Sequence, residues 1–178
     1  MNITVFGSSK PLPGEPDYQT GLLLGRMIAE AGHAVITGGY MGAMGAVSQG
    51  AAEAGGHVIG VTCVEIERWR NNGPNPWIKE EWRCETLIER LQKLIYGCQA
   101  VIVLPGGQGT LVEISLLWNL LVIGAIPRRP VAVYGAGWRA VIDAYLKDLR
   151  PYFNPDDWQW LTFTEDIHHA FQIATNHP

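Results

Sequence analysis

The residues best suited to chemistry fall in one stretch, Leu104-Pro105-Gly106-Gly107-Gln108-Gly109-Thr110-Leu111-Val112-Glu113. Gly106, Gly107 and Gly109 let a ligand approach the backbone closely. A helix opening at this turn offers free N–H groups and the positive end of its dipole to an anion. Thr110 adds a hydroxyl donor, and a phosphate is the natural occupant. The stretch matches neither GxxxxGK[ST] nor GxGxxG, so the usual mononucleotide and dinucleotide loops are excluded. Glu113 is the only charged residue between Lys93 and Arg128. A carboxylate among Leu, Val, Ile and Trp118 is costly to bury unless it is paired, which predicts a partner from elsewhere in the chain. Thr110-x-x-Glu113 also has capping-box spacing, in which case the carboxylate would only satisfy a backbone N–H. Both readings stay open at this point.

Arg90 is the candidate partner. Its neighbours three and four residues away are Thr86, Leu87, Lys93 and Leu94, so no local carboxylate claims it. Glu89, by contrast, can pair with Lys93. The alternative for Arg90 is a solvated surface arginine. A second glycine loop, Thr37-Gly38-Gly39-Tyr40-Met41-Gly42-Ala43-Met44-Gly45, reads either as another wall of a phosphate or ribose pocket, through Gly38 and Gly39, or as a tight turn for close helix–sheet packing. Gly7 and Ser8, in Gly7-Ser8-Ser9, offer amide and hydroxyl donors or form an ordinary strand-end loop. His168 and His169 are adjacent, so on a helix they point about 100° apart and make a poor metal pair. No metal and no cofactor is called for.

The elements that must position these residues follow from the hydrophobic pattern. Short apolar runs at residues 3–6, 34–36, 58–61, 100–104, 131–134 and 160–163 read as strands. Helical spacing covers 18–31, 46–54, 85–96, 111–122, 140–149 and 165–174, with Thr164 placed to cap the last. The segment 63–83 reads as less regular, centred on Asn71-Asn72-Gly73-Pro74-Asn75-Pro76. Alternating strands and helices predict an α/β fold, a doubly wound parallel sheet with helices on both faces, in a single domain over 1–178. Ligands of such sheets bind beyond the carboxyl ends of the strands, where all three Gly-rich turns would lie.

Composition sets the outer bounds. Of 178 residues, 47% are hydrophobic and 17% charged, which excludes intrinsic disorder. Lys plus Arg number 13 against 17 for Asp plus Glu, so a general nucleic-acid binder is not expected, although a local anion site is compatible. Cys63, Cys84 and Cys98 are odd in number and widely spaced, which argues for free thiols in a reducing compartment. The start MNITVFGSS lacks a signal-peptide pattern, and no apolar run reaches the ~20 residues needed to span a bilayer. A cytoplasmic protein without membrane contact is expected.

Residues 105–113 resemble the PGGxGTxxE signature of the LONELY GUY (LOG) family of cytokinin-activating nucleoside 5′-monophosphate phosphoribohydrolases. The resemblance extends over most of the chain. The opening strand with Gly7-Ser8-Ser9 is similar to that family's first loop, residues 38–45 are similar to its GGxxGLMG loop, and Trp118 and the strand after Pro130 fall at matching places. The resemblance implies a Rossmann-like nucleotide-binding domain. It places Arg90 and Glu113 in the roles of catalytic arginine and glutamate. It implies hydrolysis of the N-glycosidic bond of a purine or N6-modified adenine nucleoside 5′-monophosphate, releasing free base and ribose 5-phosphate, in a homodimer. Departures from the pattern are Leu91 where Lys is usual, Ile88 where plant members often have His, Thr37 for the first glycine of a GGG run, and Leu116 where a second acidic residue often stands. The same loop also resembles that of molybdenum-cofactor carrier proteins, so a binding protein for a phosphate-bearing ligand is the alternative.

Overall fold

The structure, a computed structural model, describes residues 1–70, 73–154 and 156–176. Asn71 and Asn72, expected to be irregular, lie outside the described residues. Among the described residues, seven strands form one sheet: β1 (Asn2–Phe6), β2 (Ala34–Thr37), β3 (Val58–Cys63), β4 (Glu80–Cys84), β5 (Ala100–Val103), β6 (Val131–Tyr134) and β7 (Thr162–Thr164). Their order is β4-β3-β2-β1-β5-β6-β7 and every pairing is parallel. The α/β, doubly wound expectation holds. The central strands are buried on both faces, as their continuous Val and Ile runs require.

Among the described residues, seven helices cover the sheet: α1 (Pro16–Glu30), α2 (Ala43–Glu53), α3 (Val64–Arg70), α4 (Leu87–Tyr96), α5 (Gln108–Val122), α6 (Ala136–Asp148) and α7 (Ile167–Thr175). One core joins Leu94 and Ile95 of α4, Ile114 and Leu117 of α5, and Ile142 of α6 to one face of the sheet. The other joins Leu24 and Ile28 of α1, Val47 of α2, and Ala170 of α7 to the opposite face. Helices α1 and α2 pack at backbone distance. A Cβ on Gly25 would run into the carbonyl of Val47, and one on Gly50 into that of Leu22. The small-residue character of α2 is therefore a packing requirement.

Three expectations are corrected. The stretch 63–83 is not irregular throughout, since α3 and β4 lie inside it. β4 escapes an apolar-run reading because it is the edge strand and carries Glu80, Glu81 and Arg83 to solvent. The last strand begins at Thr162, since Asp157–Trp160 forms a 3-10 turn that takes Trp160 out of the sheet. The final helix is capped by Asp166, whose side chain accepts from the N–H groups of His168 and His169. Thr164 instead accepts from the Asp166 N–H. Among the described residues, no helix is long and apolar enough to cross a membrane.

Candidate functional site

The connections after β1, β2 and β5 meet at the carboxyl rim of the sheet, on its central strands. Backbone hydrogen bonds tie them together. Ser8 N–H donates to Pro105 O at 3.0 Å, and Ala43 N–H donates to Ser8 O at 2.8 Å. Gly42 has φ of +76°, and a Cβ there would press into the backbone of Ser8 and Ser9, so this contact needs glycine. Ser8 Oγ accepts from Lys10 N–H at 3.0 Å. Beside these loops opens a cleft of about 390 Å³, with Ser8, Lys10, Pro105 and Gly106 among its walls and the acidic Glu15 and Asp17 at the start of α1.

The turn after β5 leads straight into α5. Gly107 is the N-cap residue, with no side-chain cap bond, and Gln108 begins the helix. Gly107 and Gly109 are exposed, and Thr110 is buried. A Cβ on Gly106 would run into the Thr110 hydroxyl, so the glycine lets the threonine fold beneath the turn. Because the N-cap of α5 is Gly107, three residues ahead of Thr110, a Thr110–Glu113 capping box does not form. The first turn leaves its N–H groups free of side-chain capping, at the positive end of the helix dipole. Charge and geometry there suit an anion.

Glu113 lies one turn further along α5 and is 7% exposed. Arg90 lies in the first turn of α4 and is 5% exposed. The structure brings them together, with Arg90 Nη1 at 3.6 Å from Glu113 Oε1. Arg90 is held from three more sides. Its Nε donates to Val61 O at 2.9 Å, its Nη2 donates to Gly38 O at 3.2 Å, and its guanidinium lies 5.8 Å from the centre of the Tyr40 ring. Gly38 has no room for a side chain, since a Cβ there would strike Arg90 Nη2. The second glycine loop thus serves the arginine. Gly39, with φ of +79°, turns the chain just beyond that carbonyl.

Burial pushes the Glu113 carboxyl up to about 7, with the Arg90 charge opposing the rise. Desolvation outweighs the ion pair because a closest approach of 3.6 Å, beyond ordinary hydrogen-bond length, returns less than the lost hydration. Such a carboxyl exchanges a proton near neutral pH, which suits it to acid–base work or to meeting a developing positive charge. Glu89 does not pair with Lys93. It completes a capping box with Thr86 that fixes the start of α4, and Lys93 Nζ donates to Arg83 O.

Tyr40 and Asn75 belong to this architecture and escaped the reading of the sequence. The Tyr40 hydroxyl accepts from Cys63 N–H at 2.8 Å and donates to Cys63 O at 3.1 Å. Asn75 is 3% exposed and pins the second loop, its N–H donating to Gly39 O at 2.8 Å and its Nδ2 to Tyr40 O at 3.0 Å. Its place in an Asn-Gly-Pro-Asn-Pro run signals a turn and gives no hint of burial. Trp69 is 75% exposed, and Trp82 Nε1 donates to Glu80 at the sheet edge.

Residues 1–124, which include both Arg90 and Glu113, match the model of the SLOG cluster4 family. A rice relative (Oryza sativa subsp. japonica), named "Probable cytokinin riboside 5'-monophosphate phosphoribohydrolase LOGL5", is 34% identical over 160 residues, which are 83% of this chain and 56% of the relative. The chain spans about half the length of the curated rice relatives it matches. Among solved structures, the X-ray structure of TM1055, a structural-genomics target, is 27% identical with a TM-score of 0.77, covering 99% of both chains. The molybdenum cofactor carrier protein from Chlamydomonas reinhardtii is 22% identical with a TM-score of 0.74, covering 98% of this chain and 96% of that one. These neighbours share the Rossmann-like α/β fold.

Proposed function

The chain belongs to the SLOG cluster4 family, and we propose that it hydrolyses the N-glycosidic bond of a purine or N6-modified adenine nucleoside 5′-monophosphate. The observation that carries this reading is the buried Arg90–Glu113 contact set one helical turn behind an uncapped, glycine-lined helix start. In this reading Gly106, Gly107, Gly109 and Thr110 receive the 5′-phosphate at the positive end of α5, with Gly7, Ser8, Gly38 and Gly39 forming the neighbouring walls. Anchoring the phosphate fixes the ribose so that its C1′ faces the carboxylate. As the C1′–N bond lengthens, the ribose gains oxocarbenium character, and the Glu113 carboxylate stabilises that charge and orients the attacking water. Water adds OH to C1′ and a proton goes to the departing base, giving free base and ribose 5-phosphate. Arg90 positions Glu113 and supplies positive charge toward the ribose phosphate. No step calls on a metal or cofactor.

A nucleotide panel tests it. AMP, isopentenyladenosine 5′-monophosphate, GMP and the matching nucleosides are incubated with the protein, and released base is resolved by liquid chromatography. Base release from a monophosphate and none from its nucleoside is the expected result. A nucleotide bound tightly yet recovered intact would point instead to a carrier, the role named for the Chlamydomonas neighbour.

The working unit is proposed to be a homodimer. Leu87 and Ile88 of α4, Leu111 and Val112 of α5, and Ile123 at the end of α5 are exposed apolar side chains on one face, Ile88 and Ile123 each at 65%. Such a face is costly to leave in water. Sedimentation equilibrium giving twice the chain mass, shifted toward the single chain by Ile88→Asp with Ile123→Asp, is the expected outcome.

A further inference from the structure

A second concave surface lies away from the rim. Helix α6 leaves β6 at the carboxyl rim and runs back across the sheet, so its last turn lies toward the amino ends of the strands, opposite the Gly-rich loops. There, Leu146 and Lys147 of α6 and the following Arg150, Phe153 and Trp158 line a cleft of about 490 Å³. That volume is in the range of small-molecule sites.

Its walls are fixed by the core. Phe153 stacks on Trp118 with ring centres 5.9 Å apart and planes 10° from parallel, and Tyr145 meets Phe153 edge-on at 4.9 Å. The Trp118 indole N–H donates to Asp157 O, which ties the 3-10 turn bearing Trp158 to α5. Trp158 itself is 49% exposed. An aromatic floor held this firmly is a preformed apolar surface.

The charge on it has one sign. Lys147 and Arg150 are the only charged residues lining the cleft, and among the described residues neither makes an ion pair. Two cations exceed what a helix carboxyl end needs, which amounts to about half a charge. They stand on a chain of net charge −4. The geometry points to a second binding site, for a small organic anion with a flat apolar body, such as an aromatic carboxylate or sulfonate. The ring lies against Phe153 and Trp158, and the anionic group faces Lys147 and Arg150. This site stands independently of the proposed hydrolysis.

The probe is 8-anilinonaphthalene-1-sulfonate, titrated into the intact protein and followed by its fluorescence, beside the uncharged N-phenyl-1-naphthylamine. Saturable binding of one sulfonate per chain is expected. The Lys147→Ala, Arg150→Ala double variant is expected to weaken it about tenfold, as loss of two exposed charge contacts would. The uncharged dye is expected to bind weakly and equally to both proteins. Both substituted positions are exposed, so an unchanged far-ultraviolet spectrum is expected and is checked first. Three results would overturn the site: no saturable binding, undiminished binding to the double variant (which would put the dye on the apolar face of α5), or an uncharged dye that binds as tightly as the sulfonate.

Discussion

Arg90 comes no closer to Glu113 than 3.6 Å, through Nη1, while its Nε and Nη2 are engaged by the carbonyls of Val61 and Gly38. The guanidinium is fixed by backbone carbonyls of strand β3 and of the loop after β2, and the carboxylate is attracted to it without being clamped. Glu113 therefore feels burial more than pairing, and its carboxyl rises to about 7.

The rate of base release is expected to follow the ionised form of Glu113. kcat/KM should rise with pH through about 7 and level off above it. A profile flat from pH 5.5 to 8.5 would remove Glu113 from the chemical step. Glu113→Ala and Arg90→Ala should each lower kcat by about 100-fold or more, the usual scale for a lost acid–base group.

Stability should carry the same signature with a definite sign. The ordinary carboxyl value is 4.5 and the folded one about 7. Between these limits the folded chain keeps a proton that the unfolded chain releases, so Glu113 costs increasing stability as pH rises, up to about 3 kcal/mol by pH 8. Below 4.5 it is protonated in both states and this cost vanishes. Glu113→Gln resembles the protonated form at every pH. The Tm of the variant minus that of the unaltered protein is thus expected to be larger at pH 8 than at pH 5 in differential scanning fluorimetry, and an equal difference at both would contradict the raised value.

Gly38→Ala places a methyl group where Arg90 Nη2 lies. The arginine must then move away from Glu113. Turnover is expected to fall by roughly 100-fold, on the scale of a misplaced reacting geometry, and affinity for ribose 5-phosphate, measured by calorimetry, to weaken with it, since Arg90 also supplies charge toward the phosphate. Full turnover in this variant would show that the loop does not position Arg90.

The parts of this arrangement that could be read from sequence are those with a strong local signature. The central strands announced themselves through Val and Ile runs, and Glu113 through its isolation in an apolar helix. Apart from the family resemblance, Arg90 was traceable by elimination alone, because its partners Val61 O and Gly38 O are backbone atoms that no side-chain pattern encodes. The start of α5 was misjudged by three residues, since glycines carry little helix signal although the chain turns helical at Gln108. Tyr40 and Asn75 were overlooked because their importance is wholly tertiary.

Asn75 gives that last point a measurable form. Its Nδ2 donates to Tyr40 O and lies 3.3 Å from Ser48 Oγ, in a pocket closed to water. Asn75→Ala leaves the carbonyl unpartnered and should cost about 1–3 kcal/mol in urea denaturation. Asn75→Asp keeps the shape but loses the donors and is expected to be at least as harmful. Near-normal stability of the aspartate variant would mean that packing, not the amide donors, holds the Gly38–Tyr40 turn.

The acidic and basic side chains of β4 have a further effect on the molecule's behaviour in company. A parallel sheet ends in a row of unpaired peptide groups that invites another chain to add itself and polymerise. Here Glu80, Glu81 and Arg83 line that border, with Arg83 bound to Glu67 at 2.7 Å. An incoming strand would have to strip water from these charges before it could zip on, so the border discourages intermolecular sheet growth.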